Sequence, residues 1–163
     1  MKNSKFKIVL VLLIVGVFIV LGFSYANNND SDGQFTVKYD NSWQRSATEE
    51  FKLKHKKTGS VLKIQSKILE DNYVDTELEE IIDDIIYSVE QQNKDYKLIN
   101  FSKLENNEYE GYSYLYEKKM KQVLVNVYKK NNKIVIAYYQ ADSKVYDIVL
   151  DSVDTILNSL EIS

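Results

Sequence analysis

Apolar and polar positions alternate through the first part of the chain that reads as a folded domain. Phe35, Val37 and Tyr39 occupy every second position, the period of a half-buried strand. Asp40-Asn41-Ser42 then turns the chain ahead of Trp43. Alternation resumes at Phe51-Lys52-Leu53-Lys54-His55, and Lys57-Thr58-Gly59-Ser60 reads as a hairpin turn. Val61 to Gln65 is the returning strand, with Leu62 and Ile64 on one face. From Val74 to Val89 the period changes. Val74, Leu78, Ile81, Ile82, Ile85, Ile86 and Val89 fall on one helical stripe. Thr76 and Glu79 have the spacing of a capping box, and Asp75, Glu77, Glu79 and Glu80 place negative charge where free backbone N–H groups favour it.

Four closely spaced strands follow. They are Tyr96–Leu104, Glu108–Glu117, Met120–Lys130 and Lys133–Ala141, separated by turns at Asn106-Asn107, Lys118-Lys119 and Asn131-Asn132. Short turns between such strands predict an antiparallel meander. The last element is helical. Val145, Val149, Val153, Ile156, Leu157 and Leu160 form its stripe, Tyr146 and Leu150 flank it, and Asp142 or Ser143 is placed to cap it. A sheet with both helices packed on it satisfies every apolar face. The expected class is therefore α+β, a central antiparallel sheet with two main helices packed on it, preceded by an N-terminal hydrophobic helix.

That preceding segment is of another kind. Met1 to Lys7 is short and basic, and Ile8 to Phe23 is unbroken apolar sequence. Two readings compete. As a signal peptide, residues 1–26 have a basic start, a long apolar core and the small residues Ser24 and Ala26 before a cut. As an uncleaved anchor, residues 8–26 are long enough to span the hydrocarbon layer. Under both readings the lysines stay on the cytoplasmic side. The first leads to secretion after cleavage near Ala26. The second leads to a single-pass cell-membrane protein with an extracytoplasmic C-terminal domain. Residues 27–33 (NNNDSDG) form a short polar linker, and 34–163 form one domain.

Charge and composition narrow the partners. The chain has 21 basic and 24 acidic residues. Lys2, Lys5 and Lys7 precede the domain, so the remainder carries 18 against 24, a net charge of −6. That balance argues against nucleic acid, whose backbone rewards a basic patch. Cysteine and proline are both absent. The domain folds without disulfides, and thiolate metal sites, cysteine nucleophiles and lipid attachment through cysteine are excluded.

Candidate chemistry is sparse. His55 is the single histidine, so histidine-rich zinc sites are not expected. Glu79 and Asp83, four apart on one helix face, are the weak candidates for a divalent metal, without an EF-hand spacing around them. The glycines Gly33, Gly59 and Gly111 are isolated, and no phosphate-cradling loop occurs. Tyrosine is the unusual feature, with 13 in the chain. Tyr112, Tyr114 and Tyr116 share parity and point to one face of one strand. They form either an aromatic binding surface, for which tyrosine supplies contact area and a polar tip, or strand-forming packing beneath a helix.

Several local patterns resemble the PsbP family, the extrinsic proteins of the photosynthetic oxygen-evolving complex, and more so its bacterial PsbP-like and DcrB-like exported relatives. The opening Phe35-Thr36-Val37-Lys38-Tyr39-Asp40-Asn41-Ser42-Trp43 has the aromatic-x-aliphatic-x-tyrosine pattern leading to a tryptophan. Tyr109-Glu110-Gly111-Tyr112 fits the middle of such domains, and Ile156-Leu157-Asn158-Ser159-Leu160 fits the closing helix. Asp40 stands where the relatives usually carry proline. The resemblance covers about residues 34–162. It implies an α-β-α sandwich and a non-enzymatic accessory role, and it does not imply photosynthesis. Metal binding occurs in some plant relatives, but their ligand positions find no match here, so no cofactor is implied. The expected function is an envelope module that binds another envelope or membrane protein; an exported small-ligand or divalent-metal-binding protein is the alternative.

Overall fold

In the computed structural model the residues described are 34–47, 51–69, 74–83, 87, 95–104 and 108–163. The N-terminal segment lies outside them. Among the described residues, nine strands run in the order β1 (Phe35–Thr36), β2 (Trp43–Arg45), β3 (Phe51–His55), β4 (Val61–Ile68), β5 (Lys97–Leu104), β6 (Glu110–Lys118), β7 (Lys121–Lys130), β8 (Lys133–Asp142) and β9 (Glu161–Ile162). Helical residues 78–83, here α1, lie between β4 and β5. The second helix, α2, is Tyr146–Asn158.

Seven strands form one antiparallel sheet in the order β2-β3-β4-β8-β7-β6-β5. The expected meander is its β5-β6-β7-β8 half. Two of its turns place a non-glycine residue in the left-handed region, Lys119 at φ 56° and Asn131 at φ 54°. Asparagine tolerates that region better than lysine does. The β3–β4 hairpin instead uses Gly59, at φ 73°, where no side chain opposes the conformation.

Strand β8 shows why two helices are needed. Ile134 and Ile136 face one way, and Val135, Ala137 and Tyr139 face the other; all five are buried. The first pair joins a cluster with Leu78, Ile81 and Ile82 of α1 and with Tyr112, Tyr114 and Tyr116. The second set joins Val149, Val153, Ile156 and Leu157 of α2, with Leu53, Leu62 and Trp43. The helices therefore lie on opposite faces, giving the α-β-α arrangement. Each fully buried aliphatic side chain contributes roughly 1.5–3 kcal/mol.

Several local expectations are corrected. Only Phe35–Thr36 of the opening alternation is a strand, pairing with β9. The chain leaves that pairing at Lys38, whose N–H donates to Ser159 Oγ at 2.8 Å. The N-cap of α2 is Val145, without a side-chain cap; Asp142 acts earlier, accepting the Lys144 N–H at 3.1 Å in the preceding turn. Tyr146 is the first residue of α2 and belongs to its buried face rather than to the flank. At the start of α1, Leu78 N–H donates to the Glu110 carboxylate at 3.3 Å, a tertiary cap. Ile85, Ile86 and Val89 of the expected helical stripe lie outside the described residues.

Candidate functional site

The tyrosine row sits where its parity puts it, on the α1 face of β6. Tyr112, Tyr114 and Tyr116 stand opposite Val127, Val125 and Val123 of β7. Their relative exposures are 6%, 3% and 2%. The rings are thus packed inside, under Leu78, Ile81 and Ile82, rather than spread over the surface. Glu79 and Asp83 lie above them on the outer side of α1, both exposed. Burial pushes the Tyr114 phenol well above its ordinary pKa, and Tyr116, Asp83, Tyr112 and Glu79 add to the shift by opposing a further negative charge. Glu79 and Asp83 are close enough to sense Tyr114. No group of three or more His, Asp or Glu side chains gathers to hold a metal among the described residues.

The aromatic row continues outward to β5. Phe101 stacks on Tyr112 with centroids 5.5 Å apart and planes 6° from parallel, and it leans on Tyr114 at 4.9 Å. Lys103 Nζ lies 5.9 Å over the Tyr112 ring. At the other end Tyr96 meets Tyr116 edge-on at 6.2 Å, with Lys118 Nζ 4.5 Å over Tyr96.

Strand β5 is the edge of the sheet and is exposed along nearly all its length. Leu98, Ile99 and Phe101 are 38%, 47% and 48% exposed. A bulge between Leu98 and Asn100 leaves Ile99 out of the ladder register. Phe101 N–H donates to Asn100 Oδ1 at 2.9 Å, so a side chain takes up a main-chain donor. The opposite edge, β2, has three residues. Short edges are a common protection against unwanted pairing, and β5 lacks it. The sequence held a trace of this surface, since Leu98, Ile99 and Phe101 break strict alternation. That β5 lies at the edge depends on pairing that no local pattern reveals.

His55 occupies the β3–β4 hairpin. Its Nδ1 lies 2.9 Å from Thr58 Oγ1, which lies 2.7 Å from Ser60 Oγ. Its ring meets Trp43 at 5.2 Å. The hydroxyls are three and five residues away in one turn, also closed by Gly59 N–H donating to His55 C=O at 2.9 Å. This geometry is that of a side chain bracing a hairpin.

On the α2 face, Asn126 is a buried polar residue. It donates through Nδ2 to Tyr128 Oη at 3.0 Å, while its Oδ1 has no protein partner. Burial raises the Tyr128 phenol pKa, and the bond from Asn126 opposes part of that rise.

No protein-family model matches the chain, and no curated protein matches it. Solved structures do. Cyanobacterial PsbP (CyanoP) from Synechocystis sp. PCC 6803 superposes with a TM-score of 0.57 at 12% identity, over 85% of this chain and 98% of that one. LpqN, described as involved in cell envelope biogenesis of Mycobacterium tuberculosis, gives 0.57 at 7% identity, over 79% and 83%. PA94 of Pseudomonas aeruginosa, described as a protein of unknown function and putative regulator, gives 0.54 at 11%, over 75% and 92%. At these identities the likeness concerns the fold. The chain thus has a PsbP-like fold, as its opening, middle and closing motifs suggested.

Proposed function

We propose that this chain is a non-enzymatic accessory module of the cell envelope that binds another protein near the outer face of the membrane. The observation behind this is β5, an eight-residue edge strand carrying three exposed apolar side chains. Exposed apolar surface on a sheet edge is what strand-mediated recognition uses. The shared fold with LpqN, itself involved in envelope biogenesis, supports the setting. Residues 8–26 supply the membrane attachment in this reading, and the linker 27–33 holds the domain within roughly 15 Å of the surface.

The test is chemical crosslinking in intact cells, followed by capture of the full-length chain and mass spectrometry. The expected result is one reproducible envelope protein at near-stoichiometric yield. Absence of any partner at normal expression overturns the reading and leaves a small ligand or divalent ion as the alternative. The same spectra report the N-terminus. A peptide beginning at Asn27 means a released domain, and an intact 8–26 segment means an anchor.

A further inference from the structure

We infer that β5 is a docking strand for an extended segment of a partner protein, one with an apolar centre and acidic residues at its two ends. This rests on the reading of the chain as a protein-binding module and specifies where and what it binds. Among the described residues β5 is hydrogen-bonded to β6 alone, and no described strand pairs with its outer side. Main-chain hydrogen bonds supply affinity in such additions, and alternate side chains supply selectivity. The centre of β5 is apolar, with Leu98 and Phe101 directed towards the α1 face and Ile99 at the bulge. Phe101 is held by stacking on Tyr112 and Tyr114. A partner residue laid over it meets an ordered ring.

Charge selects the occupant. The ends of β5 carry Lys97 and Lys103, and residues 96–104 contain no acidic residue. Glu117 stands opposite Lys97 across the ladder, whereas Lys103 faces Tyr112. A second copy of this chain is disfavoured. A second copy brings no carboxylate within residues 96–104 to meet either lysine, and parallel in-register pairing sets each lysine beside itself. Like charges directly opposite destabilise a strand pair. A segment with Asp or Glu at those two positions reverses the sign of both interactions.

The experiment places a photo-crosslinking residue at Ser102 on β5 or, as a control, at exposed Ile148 on α2, in the full-length chain within its own membranes. Captured segments are sequenced by mass spectrometry. The expected result is capture from Ser102 of one protein through an acid-ended extended segment. Ile99→Pro, which blocks an added strand at a bulge position where proline is tolerated, abolishes capture. Lys97→Glu with Lys103→Glu, which leaves the apolar centre intact, lowers it about tenfold, the size expected for two lost charge pairs. Circular dichroism checks that both variants fold. Capture of a second copy of this chain, of a segment without acidic ends, or of a partner indifferent to the charge reversal overturns the inference. Capture from Ile148 alone overturns it while leaving the accessory-module reading in place. Capture from neither position overturns both.

Discussion

Trp43 donates its indole N–H to the Ser152 hydroxyl at 2.8 Å, tying the short edge strand β2 to the middle of α2. The ring is buried and the hydrogen bond crosses from sheet to helix, so the donor has little access to water if its acceptor is removed. Ser152→Ala is expected to cost about 1–2 kcal/mol, the penalty of an unsatisfied buried donor. Trp43→Phe removes donor and ring area together and is expected to cost more. Urea unfolding of both variants checks this order. Equal stability of Ser152→Ala and the parent would mean that water replaces the hydroxyl.

Glu110 and Lys129 pair across β6 and β7 and hold the approach to α1 from both sides. Glu110 accepts the Leu78 N–H, and Lys129 Nζ donates to the Val74 carbonyl at 3.0 Å. Glu110→Ala is therefore expected to loosen α1 before the sheet, at a cost of about 1 kcal/mol, typical of a lost N-terminal cap. Hydrogen exchange should accelerate in residues 78–83 and stay unchanged in β8. Uniform acceleration would show that the two regions unfold as one unit.

Gly111 leaves little room for a side chain. An added Cβ would lie 3.1 Å from Leu104 Cβ and 3.2 Å from both Leu104 Cδ1 and Tyr128 Cδ1. Gly111→Ala is expected to cost about 1–2 kcal/mol through overpacking. Leu104 ends β5, so amide chemical shifts should move most at the β5–β6 contact. A neutral substitution would mean that Leu104 relaxes freely.

The strands were readable because their period of two survives in Phe51–His55 and in the turns that separate β6, β7 and β8. Asp40 illustrates a turn encoded by side-chain chemistry. Its carboxylate accepts the Ser42 N–H at 2.8 Å and the Ser42 hydroxyl, and those bonds hold its pKa below the ordinary carboxylate value. Side-chain acceptance of the next backbone donors is enough to turn the chain there without a proline. Other features were not readable for physical reasons. Strand β9 has two residues, and its partner lies at the far end of the domain sequence. The parity of Tyr112, Tyr114 and Tyr116 was visible, but their depth was not, because an amphipathic ring suits either side of an interface. The prominence of β5 arises from strand order, which the local pattern does not contain.

Replacing the tyrosine row now has a clear expected outcome. Deleting a buried aromatic side chain costs about 3–5 kcal/mol, against a total stability of about 5–15 kcal/mol for a typical domain. Tyr112, Tyr114 and Tyr116 all replaced by serine should leave the domain unfolded. Tyr114→Phe, which keeps the ring, should stay within about 1 kcal/mol of the parent. Thermal unfolding followed by circular dichroism separates these outcomes. A folded triple variant would show that the α1 layer contributes little to stability.

Alkaline pH probes the opposite face. Tyr139 is buried and donates its hydroxyl to the Tyr146 carbonyl at 3.1 Å. Burial pushes its pKa from 10.0 up to about 12; a hydrogen bond with Ser60 opposes part of that shift, and Asp147 adds to it. The Tyr146 phenol is raised in the same direction, again chiefly by burial. Between these two values the unfolded chain releases the Tyr139 proton and the folded chain keeps it. The stabilising contribution is thus fully present below pH 10 and is lost as pH rises towards 12. Unfolding free energy should be insensitive to this residue at neutral pH and fall steadily above pH 10, with a shallower fall in Tyr139→Phe. Tyrosinate absorbance should lag behind that of a denatured control and rise together with loss of the fold. A Tyr139→Phe variant whose alkaline slope matches the parent would show that other buried phenols dominate the effect.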